Sequence, residues 1–448
     1  GKFPIATTTG REMAFSAAFD GTNYLVGIQG DASAYYNITA QFVSQSGTLV
    51  GSRISIGRTG GIPGVAFDGT NYLMVWEDDA TFPYNDIYGQ FISPLGNLIG
   101  SPFPISQAAG RQEMGAIGFG GTNYLVVWQD FRNDNDHDGQ CDSGEGTCID
   151  IYVQLVTPTG SLLGSAISIS TEAENQRMPA MAFDGTNYFV IWESRRSGPE
   201  LWDVKGRFIS KAGTISNAFI ISQTPSPAYN PLGIAFDGTN FLVAWNRDIG
   251  LGYPYPTIWD IYGRIVSPSG SFPGLEFAVT TVPGDQIAPV VTFNGTHYLM
   301  TWTDARNDTN DNMACDNGEG TCLDIYGQFI SKSGGLAGSE FTIDTDAGNQ
   351  FGGARFGGGK YFVLVNNLDT FDGAVGDVYG LIFSQLLGDI NIDGVIDISD
   401  VILVLRIALG LDPSNKCADI NNDGVVDISD VILTLRMALG IDPLSACI

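Results

Sequence analysis

Between Asp134 and Glu145 the chain sets Asp134, Asp136, Asp138, Gln140, Asp142 and Glu145 in the spacing D-x-D-x-D-G-x5-E. Alternate carboxylates on a short loop can converge on one hard cation. Gly139 lets the loop turn sharply, the backbone carbonyl of Gln140 adds an oxygen, and Glu145 can offer both of its oxygens. This is the twelve-residue calcium-loop pattern, here without a helical pattern on either side. A matching insertion at 304–322 aligns through its cysteines, Cys315 and Cys322 standing against Cys141 and Cys148. It offers Asp308, Asn310, Asn312, Asp316 and Glu319. Met313 stands at the turn glycine's place and two carboxylates have become amides, so calcium is expected to bind there more weakly.

Two further loops lie near the C-terminal end. The text GDINIDGVIDISDVILVLRIALG begins at Gly388, and ADINNDGVVDISDVILTLRMALG follows at Ala418. The oxygen positions of the first are Asp389, Asn391, Asp393, Val395 (through its carbonyl), Asp397 and Asp400. Those of the second are Asp419, Asn421, Asp423, Val425, Asp427 and Asp430. Each loop runs into an amphipathic helical segment ending at Gly410 or Gly440. This duplicated loop-helix text resembles a type I dockerin, the module that anchors proteins to cohesin partners. The resemblance covers about residues 388–448. It implies two calcium ions, two antiparallel helices and a docking surface on them. The loop positions that influence partner choice in that family fall on Ile398-Ser399 and Ile428-Ser429, and the helical faces run on to Arg406 and Arg436. The two halves carry the same residues there, so either can present the same face. Cys417 and Cys447 depart from the family pattern and are expected to clasp the inter-repeat linker to the C-terminal end.

The totals agree with these loops. With 21 basic and 49 acidic residues the formal net charge is −28. Such a surface repels nucleic acid and anionic membranes and suits cations. Six cysteines in three local pairs (Cys141/Cys148, Cys315/Cys322, Cys417/Cys447) favour disulfides and an oxidising compartment over a thiol catalyst. No apolar run is long enough to span a membrane. No leader is visible at Gly1, and a mature secreted chain is expected.

Something must carry these loops. The stretch AFDGTNYLMVWED at Ala66 recurs in worn copies starting at Ala18, Gly118, Ala182, Ala235, Thr292 and Arg355. Repetition at this period marks a repeat architecture. Each unit reads as four short strands: an apolar run, a DGTN turn, a second apolar run, a DIYGQFIS-like third strand and an outer strand. The expected fold is mainly β, a seven-bladed β-propeller over 1–386, with a small helical dockerin-like domain over 387–448. The last unit, ending near Ser384, lacks a fourth strand, and Phe3–Ala6 precedes the first unit. Phe3–Ala6 is therefore expected to complete the last blade and close the ring. Trp76, Trp128, Trp192, Trp245 and Trp302 occupy one repeat position and read as packing between blades.

Three functional classes remain. The first is an extracellular assembly protein, docking to a cohesin-type partner or to another copy in a filament or sheath. The near absence of a linker between Ser384 and Asp389 favours it over a swinging tether. The second is a glycan binder using mouth aromatics such as Phe82, Tyr84, Trp202, Tyr253, Tyr255 and Trp259. The third is a glycoside hydrolase or lyase using two of Glu77, Asp78, Asp130, Glu193 and Asp304. With only His137 and His297 present, and no nucleophile set around them, other hydrolytic mechanisms are disfavoured. Arg132, Arg196 and Arg306, each four residues after a tryptophan, are expected to pair with carboxylates of neighbouring loops rather than to bind substrate anions.

Overall fold

The computed structural model describes the chain apart from residues 8–9, 32–35, 62, 81–84, 135–148, 171, 173, 197–200, 224–227, 250–258, 309–320, 347, 369–375, 385, 392–394, 446 and 448. The architecture is mainly β and propeller-like. The strands fall into antiparallel runs, here sheets I (11–59), II (64–106), III (112–170), IV (176–220), V (228–280), VI (286–344) and VII (348–383). Sheets II, III, IV and V stand as separate four-stranded sheets. Sheets VI, VII and I are joined by parallel bridges, Thr321 to Gly348 and Arg11 to Gly376. The first strand of each sheet packs against the first strand of the next, and sheet VII returns to sheet I, so the array is cyclic.

The repeated stretch explains the local geometry. Asp68 Oδ1 accepts the N–H groups of Thr70 and Asn71, both at 2.7 Å, while Gly69 takes the left-handed conformation (φ +94°) that the tight turn needs. The second strand that follows, Tyr72–Asp78, is buried almost throughout. Its tyrosine reaches backwards: Tyr124 Oη donates to the Asn71 carbonyl at 3.1 Å, and Tyr298 Oη to that of Asn240 at 2.9 Å. Tyr24 does the same across the chain ends, donating to the Gly357 carbonyl at 2.8 Å. One tyrosine hydroxyl thus stitches adjacent sheets, including the last to the first.

Phe3–Ala6 pairs antiparallel with Gly376–Phe383, Phe3 facing Gly380. This is the strand expected to receive it. Ile5 and Ala6 are buried with Phe362, Leu364 and Val378. The five repeat tryptophans are fully buried between sheets.

Beyond sheet VII the chain makes two helices, α1 (Ile398–Ala408) and α2 (Ile428–Ala438). Each begins with a capping box: the Asp397 or Asp427 side chain accepts from the first turn, and Asp400 or Asp430 reaches back. Cys417 and Cys447 are joined by a disulfide. The segment Leu444–Ser445 adds a parallel strand to the outer strand of sheet VI, Leu336–Asp344.

Candidate functional site

The second C-terminal loop is described in full, and its oxygens are held by the loop's own amides. Asp419 accepts from the N–H groups of Asp423 (3.1 Å) and Gly424 (2.8 Å), and Asp423 from that of Val425 (2.9 Å). Asp427 accepts from the Ser429 N–H at 2.7 Å and caps α2. Asp430 is fully buried. Its Oδ1 accepts from Ile420 and Asn421, its Oδ2 from Asp427. Among the described residues no three carboxylate, imidazole or thiol groups already converge on one point. The donors nevertheless suit a hard cation. All are oxygens, a carboxylate has lone pairs beyond those facing one amide, and Asn422 (φ +56°) and Gly424 (φ +89°) turn the chain around the same centre.

The first loop repeats this plan. Asp400 Oδ1 accepts from Ile390 at 2.8 Å and Asn391 at 3.1 Å, and Oδ2 from Asp397 at 3.1 Å. Asp389 is buried against the ring, where its charge helps to raise the Tyr361 hydroxyl's pKa, burial being the larger cause. The serine hydroxyls and N–H groups at the helix starts hold Asp397 and Asp427 below the ordinary carboxylate value. Asp393 lies outside the described residues.

Of the ring loops only the entrances are described. Asp134 and Asp308 are buried, each with its N–H donated three residues back, to Phe131 and Ala305. The preceding asparagines match too: Asn133 donates to Asp150 Oδ2 (2.9 Å) and Asn307 to Asp324 Oδ2 (2.7 Å). Asp136, Asp138, Gln140, Asp142, Glu145, Cys141 and Cys148 lie outside the described residues. So do Asn310, Asn312, Asp316, Glu319 and Cys315. Cys322 is buried and disulfide-bonded.

The helix faces are laid out twice. Ile398 and Ile428 are each 62% exposed, Ile402 and Ile432 52% and 53%. Arg406 forks onto Asp412, and Arg436 onto Asp442, in matching ion pairs. Ser399 and Ser429 sit at equivalent first-turn positions.

The five carboxylates considered for glycoside cleavage, Glu77, Asp78, Asp130, Glu193 and Asp304, all have partners. Asp78, Asp130 and Asp304 each accept the indole N–H of the tryptophan two residues before, at 3.1, 2.8 and 2.8 Å. The same three carboxylates take Arg58, Arg132 and Arg306 in two-pronged pairs, each guanidinium lying over a tyrosine ring of the third strand. Arg132 and Arg306 therefore pair within their own sheets, and Arg196 does so with Asp203, rather than with a neighbouring loop. The tryptophan-aspartate-arginine spacing is short enough to close on itself.

Glu77 bridges sheets, accepting the Met114 N–H at 2.9 Å. Burial, then Glu113, pushes its carboxyl up to about 7. Glu193 is fully buried with Arg177 at 3.9 Å, and burial pushes it up to about 8. Sequence reasoning missed this role. In sheet III Gln129 Oε1 accepts the Met178 N–H at 3.1 Å, and in sheet VII Asn366 grips Ala14 through both its N–H and its carbonyl. The signal was available: the residue after the repeat tryptophan position is polar in every copy.

Of the mouth aromatics, Trp202 is buried under Arg177, 3.9 Å above its ring, and is no open platform. Trp259 is part-buried at the start of a strand. Phe82, Tyr84, Tyr253 and Tyr255 lie outside the described residues.

No protein-family model matches the chain, and no curated protein matches it. Among solved structures it is similar to the β-propeller domain of the Trilobed protease from Pyrococcus furiosus (10% identity, 83% of this chain and 95% of that one, TM-score 0.49). It is also similar to Kuenenia stuttgartiensis hydrazine synthase (12%, 84% and 96%, TM-score 0.47) and to the periplasmic gluconolactonase of Pseudomonas aeruginosa (13%, 75% and 86%, TM-score 0.45). At such identities no activity carries over. No helix among the described residues is long and apolar enough to cross a membrane.

Proposed function

We propose that this chain is a secreted, calcium-binding, non-catalytic assembly protein. In this reading sheets I–VII are the blades of a seven-bladed propeller closed by Phe3–Ala6. The C-terminal segment is a dockerin-like module that takes a cohesin-type domain or a neighbouring copy. The observation that carries it is the pair of equal, exposed apolar faces on α1 and α2. Isolated exposed apolar residues are ordinary; two matching rows on duplicated helices are what a protein partner would cover. Calcium would sit among Asp389, Asn391, Asp393, Val395, Asp397 and Asp400, and among Asp419, Asn421, Asp423, Val425, Asp427 and Asp430. One or two further ions would sit in the ring loops. In the two C-terminal loops the ion would use carboxylate lone pairs that the amides leave free and would fix the starts of α1 and α2.

The test is light scattering of the full chain in calcium and in chelator, alone and with a panel of cohesin domains. Larger species in calcium, lost in the Ile398→Asp/Ile428→Asp variant, support the reading. A monomer that ignores every partner in both conditions sinks it. The second reading is a glycan-binding or glycoside-cleaving subunit, favoured by Glu77, whose carboxyl near pH 7 lies beside Glu113. Flat titrations against polysaccharides remove the binding form. Turnover that survives loss of all five mouth carboxylates removes the two-carboxylate form.

A further inference from the structure

Each hairpin turn between a third and a fourth strand leans on the sheet before it. A Cβ added at Gly47 would meet Phe3, at Gly96 Ile54, at Gly160 Phe103, at Gly213 Ile167, at Gly270 Phe219 and at Gly334 Phe277. The covered residue always holds the same repeat position, the outer-strand residue paired with the third strand at the place of Gly89. Each is only part-buried by its turn.

The series has one gap. In sheet VI the equivalent residue is Phe341. Its cover would be the turn before the fourth strand of sheet VII, but that strand comes from the N-terminal end and has no turn. Phe341 is nevertheless 1% exposed, more buried than its six counterparts. What covers it is the C-terminal module. Leu444 pairs directly with Phe341. Leu386, Ile396 and Leu444 are buried in one cluster with Phe341, Ile343 and Phe383, with Met437 of α2 packed beside them. The connection is tied down as well: the Leu387 N–H donates to the Ser445 carbonyl at 2.9 Å and that of Gly388 to Cys417 at 2.8 Å. Gly388 takes the left-handed conformation (φ +93°), and its backbone lies in contact range of Ile396, Ile420 and Met437.

We propose that the C-terminal module is the missing turn of the ring: a built-in cap over the seam of sheets VI and VII. It holds the α1 and α2 faces in a fixed direction instead of on a tether. The cap stands on apolar packing and strand pairing. Its coupling to metal rests on the calcium reading above. Ion binding would firm the module, and the module would firm the seam.

The test is amide hydrogen exchange on the full chain. Leu444→Asp should speed exchange in 336–344 by roughly tenfold or more while leaving the outer strand 98–106 unchanged. Should that variant not fold, Leu444→Ala reads the same segment. Faster exchange in α1 and α2 with 336–344 unmoved overturns the cap. Calorimetric titration with calcium separates the two claims. If calcium binds and chelator then loosens 336–344, both stand. If calcium gives no heat while Leu444→Asp still loosens 336–344, the calcium reading falls and the cap is supported. If calcium binds and chelator leaves 336–344 unchanged, the coupling is overturned.

Discussion

Between sheets I and II the buried cluster takes in Leu25, Ile38, Tyr72, Met74 and Trp76, and a cluster of similar size fills each neighbouring interface. Between α1 and α2 the buried apolar residues, among those described, are Val401, Val404, Ala418 and Val431. The ring stabilises itself by repeating one large aromatic interface. The module is too small to do that, and chains of its size depend on staples. Three are at hand: the Cys417–Cys447 disulfide, the proposed ions and the docking of Leu444, Leu386 and Ile396 onto the ring. Rigidity in one region is thus local and redundant, and in the other it is borrowed.

Variants can press on that contrast. The largest effect should come from the ring's own core. Trp302→Ala removes a fully buried indole and should cost about 3–5 kcal/mol by denaturant unfolding, with the module's helical signal lost in the same transition. Separate transitions would mean that the two regions are not coupled. Next is the staple. Cys417→Ser with Cys447→Ser should cost about 2–4 kcal/mol of module stability, read from helical circular dichroism, and should leave the tryptophan transition nearly in place. An equal loss in both signals would make the module part of the ring's core rather than its cap.

The third variant probes pH. Glu193 has its carboxyl raised from 4.5 to about 8, so the folded chain holds that proton more tightly than the unfolded one. Its contribution is complete below about pH 4.5 and lost by pH 8, and ring stability should fall across that window. Glu193→Gln keeps a neutral polar group and should flatten the fall, by on the order of 2–4 kcal/mol between the two limits. An unchanged slope would show that Glu193 is already ionised in the folded ring. The smallest effect should be at the helix faces. Ile398→Asp and Ile428→Asp should change the melting of the isolated chain by no more than about 0.5 kcal/mol, since both side chains face solvent. A large loss would place those residues in a contact within the chain.

Much of the ring was legible because its signals are local and repeated. Asp68-Gly69-Thr70-Asn71 names its own turn, and Phe3–Ala6 was assignable because one repeat lacked a strand and one strand lacked a repeat. The module's helices were legible from capping residues and apolar period. What stayed hidden was of two kinds. Glu77, Gln129 and Asn366 act on the backbone of the next sheet; their position is polar in every copy, but nothing within one repeat names the partner. Leu444–Ser445 is too short to carry a strand signal; its pairing is set by the uncovered Phe341, far away in sequence. The loops at 135–148 and 309–320 lie outside the described residues, so their donors stand as the sequence reads them.

The Phe3–Gly380 pairing also fixes an order of events. During synthesis the first strand emerges long before its partner, and it waits while the intervening sheets fold in turn. This closing pair is the most sequence-distant strand pairing among the described residues of the ring and should form slowly. Until it does, the open edge of sheet VII and the bare Phe341 are exposed together, a surface prone to wrong pairing. The segment that covers Phe341, Leu444–Ser445, is made after every strand of the ring. Sealing of the ring therefore waits on Leu444, and a product cut short before it would carry its most adhesive surface uncovered.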